Sequence, residues 1–265
     1  MTTSPMQGLQ MEGHVALITG AASGIGRAAV EAFLAAGASV VAGDLDGDLL
    51  NTMASPWGSD RLAVIAGDMS DGAVVDHAVT TGVRTFGRLD SIFANAGISG
   101  SGKAMKDLDV DELMRVLRVN VGAGLLAVQA AGRVMSEGGA VTVTSSVAGL
   151  RASAGSVAYS ASKAALISLA QTSAIALAGQ GVRVNAICPG LTRTGMTEAV
   201  FVGAEASGTT DRIGQLNPLG RAADPSEIAA LAIFLASDMA SYINGQAIAV
   251  DGGLSASLPF TKWRR

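Results

Sequence analysis

Tyr159 and Lys163 stand four residues apart in the stretch Tyr159-Ser160-Ala161-Ser162-Lys163, and on a helix that spacing puts a phenol and an ammonium on one face. Such a pair can move a proton if the phenol is brought from its ordinary value near 10 to about 7, which requires roughly 4 kcal/mol of phenolate stabilisation. Taken alone, the pair is ordinary helix-surface decoration. Three features set it apart: the chain has only two tyrosines, the helix around this one is almost all Ala and Ser, and Ser146 ends the preceding strand. That strand end is the carboxyl edge, where open α/β sheets bind ligands. A second group, Gly20-Ala21-Ala22-Ser23-Gly24-Ile25-Gly26, follows an apolar run and opens an Ala-rich helix. Gly20 permits a tight exit, Gly24 lets a pyrophosphate approach bare backbone, and Gly26 allows helix to pack on strand, with amides at the helix start facing the anion. The Gly-x3-Gly-x-Gly spacing differs from the ordinary dinucleotide fingerprint and also reads as a purely structural turn. Asp44 supplies the context: it closes the second strand, where a carboxylate accepts from the adenosine ribose hydroxyls and repels a 2′-phosphate. Neither Ser23 nor Leu45 offers a cation and Arg27 lies within the helix, so NAD is expected over NADP.

These groups need strands and helices to hold them. Apolar runs rich in Val and Ile recur, each followed by a helical pattern, which is the mark of strand-helix units and a parallel sheet. Strands are expected near 14–19, 39–43, 62–67, 89–94, 140–145, 182–187 and 246–250. Helices are expected at about 24–36, 46–54, 71–86, 109–135, 156–179 and 225–237. Gly37 sits where the first helix must stop, Asp109 with Glu112 resembles a capping box, and Asp224-Pro225 with Glu227 opens the last helix. The polar, weakly periodic insertion at 195–216 is expected to be a lid over the site.

Together these residues resemble the classical short-chain dehydrogenases/reductases. The resemblance runs from Thr19 to Gly253. It rests on Thr19-Gly20-x3-Gly24-x-Gly26, Asp68, Asn95-Ala96-Gly97, Asn120, Ser146, Tyr159-x3-Lys163, Pro189-Gly190 with Thr194, and Val250-Asp251-Gly252-Gly253. It implies a single-domain Rossmann fold over 1–265, with a doubly wound seven-stranded parallel sheet, helices on both faces, and a tail from 254. It further implies that Tyr159 is the general acid/base, that Ser146 hydrogen-bonds the substrate oxygen, and that Lys163 grips the nicotinamide ribose. Asn120 would hold a water linking Lys163 to solvent. For the cofactor it implies that Asp68 and the Met69 backbone read adenine and that Asn95, Ala96 and Gly97 pack beside the adenosine ribose. Pro189-Gly190 would turn under the nicotinamide, whose carboxamide meets Thr192 and Thr194. The sequence departs from the commonest pattern in Ala94 before Asn95, in Pro56-Trp57-Gly58 after a short second helix, and in the tail.

Composition narrows the remaining classes. With 265 residues, 49% hydrophobic, 15% charged and a net charge of −4, the chain is neither disordered nor fibrous. Its acidic balance gives no nucleic-acid footprint, and the one basic cluster, Lys262, Arg264 and Arg265, reads as a solvated tail. One cysteine, Cys188, and two distant histidines, His14 and His77, argue against disulfides and metal and fit a cytoplasmic protein. No export or membrane signal is expected. Ser160-x-x-Lys163 also matches the Ser-Lys hydrolases, but their partner motifs are absent. A non-catalytic, NAD-sensing member of the same fold should have lost part of Ser146, Tyr159 and Lys163. The expected substrate walls are Ser99, Val147 to Ala152, Leu191 through Met196, Phe201 and Val202, with Arg151 the one nearby cation. Their apolar character suggests an uncharged secondary alcohol or ketone. Small residues on the helices at 109–135 and 156–179 suggest close packing; the resembled family pairs such helices into dimers and tetramers, and a homotetramer is expected.

Overall fold

The computed structural model describes residues 9–257 apart from 59, 153 and 216, so the basic cluster, most of the tail and one residue of the expected lid lie outside the described residues. Seven strands, β1 (Val15–Thr19), β2 (Ser39–Asp44), β3 (Leu62–Ala66), β4 (Ser91–Ala94), β5 (Gly139–Thr144), β6 (Val182–Pro189) and β7 (Ala247–Val250), form one parallel sheet. Its order is β3-β2-β1-β4-β5-β6-β7. The winding reverses between β1 and β4, which opens a crevice at their carboxyl ends, the place where such sheets take ligands.

Both faces of the sheet are covered, which explains why its strands read as continuous apolar runs rather than alternating ones. Ala16, Ile18, Val40, Ala42, Phe93 and Ile187 face a layer that includes α1 (Gly24–Ala35), α2 (Gly47–Ala54) and α8 (Pro225–Ala236). Val15, Leu17, Val41, Ile92, Val141 and Val184 face α3 (Gly72–Phe86), α5 (Ala123–Val134) and α6 (Val157–Ala176). Gly37, with φ of +98°, ends α1 as expected, and α8 opens with a complete capping box between Asp224 and Glu227.

Three expectations are corrected. The single helix at 109–135 is instead α4 (Val110–Leu117), a π-helical turn at Arg118–Gly122, and α5. By length and mean hydropathy of 1.2 the run Val110–Val134 could cross a membrane. In the fold, however, its Ala127, Val128, Ala130 and Ala131 pack into the core. At the start of α4, Asp109 accepts from the Glu112 amide at 2.7 Å. Glu112 does not return the bond; its carboxylate takes the Ser101 amide and Arg115, so the capping box is half formed. Finally, the insertion at 195–216 contains a helix, α7 (Glu198–Ala206).

Candidate active site

The phosphate turn carries its own geometry. Gly20 and Gly24 adopt φ of +65° and +52°, and a Cβ on Gly26 would lie 1.9 Å from the Gly20 carbonyl oxygen. Gly26 therefore faces backbone rather than the cleft, in keeping with its expected packing of helix on strand, and it serves the cofactor turn without lining the cavity. Ser23 precedes α1 without capping it, and the first turn holds no acid. The helix start consequently presents amides and a positive dipole end with no side chain to meet them, which suits an anion. At the end of β2, Asp44 accepts the Ala22 amide on one oxygen at 2.9 Å and the Asp46 amide on the other at 3.0 Å. Each oxygen keeps further accepting capacity toward the cleft.

The turn is tied to the neighbouring strand end. Thr19 Oγ1 accepts both the Asn95 and Ala96 amides, and Asn95 Nδ2 donates to the Gly20 carbonyl. Thr144 Oγ1 donates to Asn95 Oδ1 at 3.1 Å, so β1, β4 and β5 are stitched where they end. Across the cleft, Gly190 leaves no room for a Cβ, which would come within 2.8 Å of Asp251 Cα. Thr194, which follows β6, lies over Gly24, its Cγ2 3.1 Å from where a Gly24 Cβ would sit. Asp68 accepts from the Ser70 amide and hydroxyl, bonds that hold its carboxyl below the ordinary range.

Helix α6 brings in the titratable groups. Ser156 caps it, and its hydroxyl donates to the Ser99 carbonyl. Two turns on, Lys163 is buried, and its Nζ donates to the Thr144 carbonyl at 2.7 Å and lies 5.3 Å from the Tyr159 ring centroid. Ser145 Oγ donates to the Lys163 carbonyl, so both ends of this residue are fixed to the end of β5. Burial pushes the Lys163 ammonium down to about 8. Tyr159 is raised above its ordinary value by burial, with the Ser146 hydroxyl pulling the other way. The protein without cofactor thus does not bring the phenol toward 7: the Lys163 charge sits over the ring and on a carbonyl. Ser146 Oγ accepts the Ala148 amide, leaving its hydrogen for a partner in the cleft.

All of these side chains meet in one cavity of about 340 Å³, lined by every expected site residue except Gly26 and Asn120. Leu45, Ile98, Val119, Thr144, Ser145 and Thr197 also line it, and sequence reasoning did not single them out as site residues. Asn120 is buried behind the wall, with its amide bonded to Ile98 and Ser162. Of the expected substrate walls, Thr192, Thr194, Gly195 and Met196 line the cavity, whereas Phe201 is buried beneath the Arg193 guanidinium, 4.1 Å from its ring centroid. Val202 is exposed on α7, and Arg151 donates to the Ser255 carbonyl. Ser160 Oγ is buried with no hydrogen-bond partner among the described residues, while Lys163 is engaged elsewhere, so no Ser-Lys dyad forms. No cluster of metal ligands occurs among the described residues. A larger groove of about 1040 Å³ opens at the opposite edge of the sheet beside His14, Arg88 and Arg183. It contains none of the expected site residues.

The chain matches the family profile described as Enoyl-(Acyl carrier protein) reductase over residues 20–255. It is 39% identical to 3beta-hydroxysteroid dehydrogenase 2 of Eggerthella lenta, over 93% of this chain and 96% of that one. It is 34% identical to meso-2,3-butanediol dehydrogenase of Serratia marcescens, over 94% and 97%. It is 38% identical to D-threitol dehydrogenase of Mycolicibacterium smegmatis, over 92% and 94%. The crystal structure of levodione reductase superposes with a TM-score of 0.87 at 32% identity, covering 94% of this chain and 100% of that one. The fold, the cleft at its switch point and these relatives agree: the chain belongs to the classical short-chain dehydrogenase/reductase family of oxidoreductases.

Proposed function

We propose that the protein is an NAD-dependent oxidoreductase that interconverts a secondary alcohol and a ketone, with Tyr159 as general acid/base. The observation that carries this reading is the convergence of Tyr159, Lys163 and Ser146 in the same cleft as the uncapped start of α1 and the Asp44 carboxylate. The relatives named above act, by their names, on compounds bearing hydroxyl groups on carbon.

The residues present fit the cofactor. The bare amides at Gly24 and Ile25 would receive the pyrophosphate, Asp44 the adenosine ribose, and Asp68 and Met69 the adenine. Asn95, Ala96 and Gly97 would border that ribose, Lys163 would hold the second ribose, and Pro189, Gly190, Thr192 and Thr194 would bound the nicotinamide. When bound, the nicotinamide supplies the acceptor for the hydride that an alcohol gives up, and its cationic charge. Ser146 gives a hydrogen bond to the substrate oxygen. The Tyr159 phenolate takes the hydroxyl proton as the carbinol C–H electron pair leaves with its hydrogen, so one alcohol yields one ketone, one hydride and one proton. In reduction, Tyr159 returns that proton to the carbonyl oxygen. The Lys163 ammonium and the cofactor's charge are the groups available to lower a phenol that burial alone raises.

For NAD over NADP, the support is Asp44 at the end of β2 together with the pairing of Arg27 to Glu31 at 2.9 Å, which turns the nearest helix cation outward. Titration with both cofactors, on the native protein and on Asp44→Ala, tests this. Native protein should prefer NAD, and the variant should lose most of that preference; native preference for NADP would overturn the assignment. The same reading extends to a cytoplasmic homotetramer. Leu125 on α5 and Ile175 on α6 are exposed apolar side chains on the helices that would pair, and light scattering gives the mass directly.

A further inference from the structure

We infer that Ser162 is a positioning residue for the proton transfer, acting through the Tyr159 backbone and held in place by Asn120; this rests on the Tyr159 reading above. Ser162 has no exposed surface, and its hydroxyl is doubly used. It accepts from Asn120 Nδ2 at 2.8 Å and donates to the Tyr159 carbonyl at 2.7 Å. The Asn120 amide continues the chain in one direction only. Its Oδ1 accepts the Ile98 amide at 2.8 Å, and its remaining Nδ2 hydrogen goes to the Ile98 carbonyl at 3.0 Å. Because Oδ1 faces an N–H, the amide orientation is set, and with it the sense of every bond out to Tyr159. The run therefore joins Ile98, which lines the cleft, to the residue that carries the phenol.

Local structure serves this link. Asn120 lies in the π-helical turn Arg118–Gly122, and a π turn inserts one residue, rotating the next helical turn away from its place in a regular α-helix. That insertion supports a side chain aimed sideways at Ile98 and α6, where Asn120 is buried and three of its four hydrogen-bonding positions are filled. Helix α6 is thus bound to the cofactor side of the sheet at three places: Ser156 to Ser99, Ser145 to Lys163, and Ser162 through Asn120 to Ile98. Two of these reach the Tyr159 backbone: Ser156 Oγ accepts its amide at 3.4 Å, and Ser162 Oγ donates to its carbonyl at 2.7 Å and ties it through Asn120 to Ile98. Removing its hydroxyl leaves Asn120 Nδ2 with an unpaired hydrogen and frees the Tyr159 turn to move relative to Lys163 and the cleft. A displacement near 1 Å at a reacting group lowers turnover by about 100-fold.

The test compares native protein, Tyr159→Phe, Ser162→Ala and Ser162→Cys, using NAD+ as ligand. Tyrosinate absorbance is titrated with and without NAD+; the chain has two tyrosines, and the step missing from Tyr159→Phe identifies the one of interest. Steady-state turnover is measured with whichever of meso-2,3-butanediol, D-threitol or a 3β-hydroxysteroid the native protein oxidises. Ser162→Ala should bind NAD+ within about threefold of native, lose roughly 10- to 100-fold in kcat, and show its Tyr159 step in the NAD+ complex at higher pH than native. Ser162→Cys, of similar size but a weak donor, should behave like Ser162→Ala, and it carries the test if the alanine variant does not fold. Native-like kcat and an unmoved Tyr159 step in either variant would overturn the inference while leaving the function intact. A native protein that oxidises none of the alcohols and whose Tyr159 step ignores NAD+ would overturn the function and this inference with it.

Discussion

Lys163 should be a source of instability in the protein without cofactor, and replacing it by methionine tests whether its charge is strained in the cleft. The side chain is buried, and its Nζ makes one hydrogen bond, to the Thr144 carbonyl. Desolvation pushes it from the ordinary 10.5 to about 8, so folding with a charged ammonium costs about 3 kcal/mol. Methionine fills similar space without charge but leaves the Thr144 carbonyl without that donor, a loss of about 1 kcal/mol. At neutral pH, Lys163→Met should therefore be more stable by about 2 kcal/mol, or roughly 4–8 °C in Tm for a chain of this size. The pH dependence is the sharper test. A lysine whose folded value is lowered penalises the fold fully below about pH 8, where both states are charged. That penalty fades between 8 and 10.5 and vanishes above 10.5, where both states are neutral. Thermal unfolding of both proteins without cofactor, from pH 7 to 11, should show a gap that closes and then reverses by the lost hydrogen bond. A gap that stays constant or widens with pH would refute the argument. The same variant should lose alcohol oxidation, an instance of an active-site group kept at the expense of stability.

Packing and burial give further outcomes. Gly26→Ala should destabilise by about 3 kcal/mol in urea unfolding and weaken NAD binding, because its methyl meets the Gly20 carbonyl. Gly203→Ala, in α7 with open space around it, should be neutral or stabilising by up to about 1 kcal/mol. His14 is lowered from 6.5 chiefly by burial, with its Nε2 bonded to Ser91 Oγ at 2.8 Å. The stability it confers is complete above 6.5 and is lost as pH falls through its folded value. His14→Gln should flatten the decline in Tm between pH 7 and 5.

The parallel sheet was legible because its strands are buried on both faces, so Val15 to Ile18 and Val40 to Ala42 stand out as unbroken apolar runs. The π turn was not, since Arg118–Gly122 continues a helical pattern on both sides and the insertion of one residue leaves no compositional trace. Helix α7 escaped for another reason: only Phe201 is buried along it, and one anchor makes no period. The cleft's first ring of residues could be read from motif and position together. The partners of Asn120 could not, because Ile98 and Ser162 come together only in the tertiary structure. Likewise, the spacing of Tyr159 and Lys163 could not show that the ammonium also rests on the Thr144 carbonyl.

The proposed reaction depends on Tyr159 moving the substrate proton. Tyr159→Phe deletes one oxygen and leaves Lys163, Asp44 and the phosphate turn in place, so NAD+ affinity should stay within about threefold of native. The decisive measurement is alcohol-dependent NADH formation by the two proteins at saturating NAD+. Tyr159→Phe should lower kcat by about 100- to 10,000-fold; turnover equal to native would contradict the acid/base role of Tyr159.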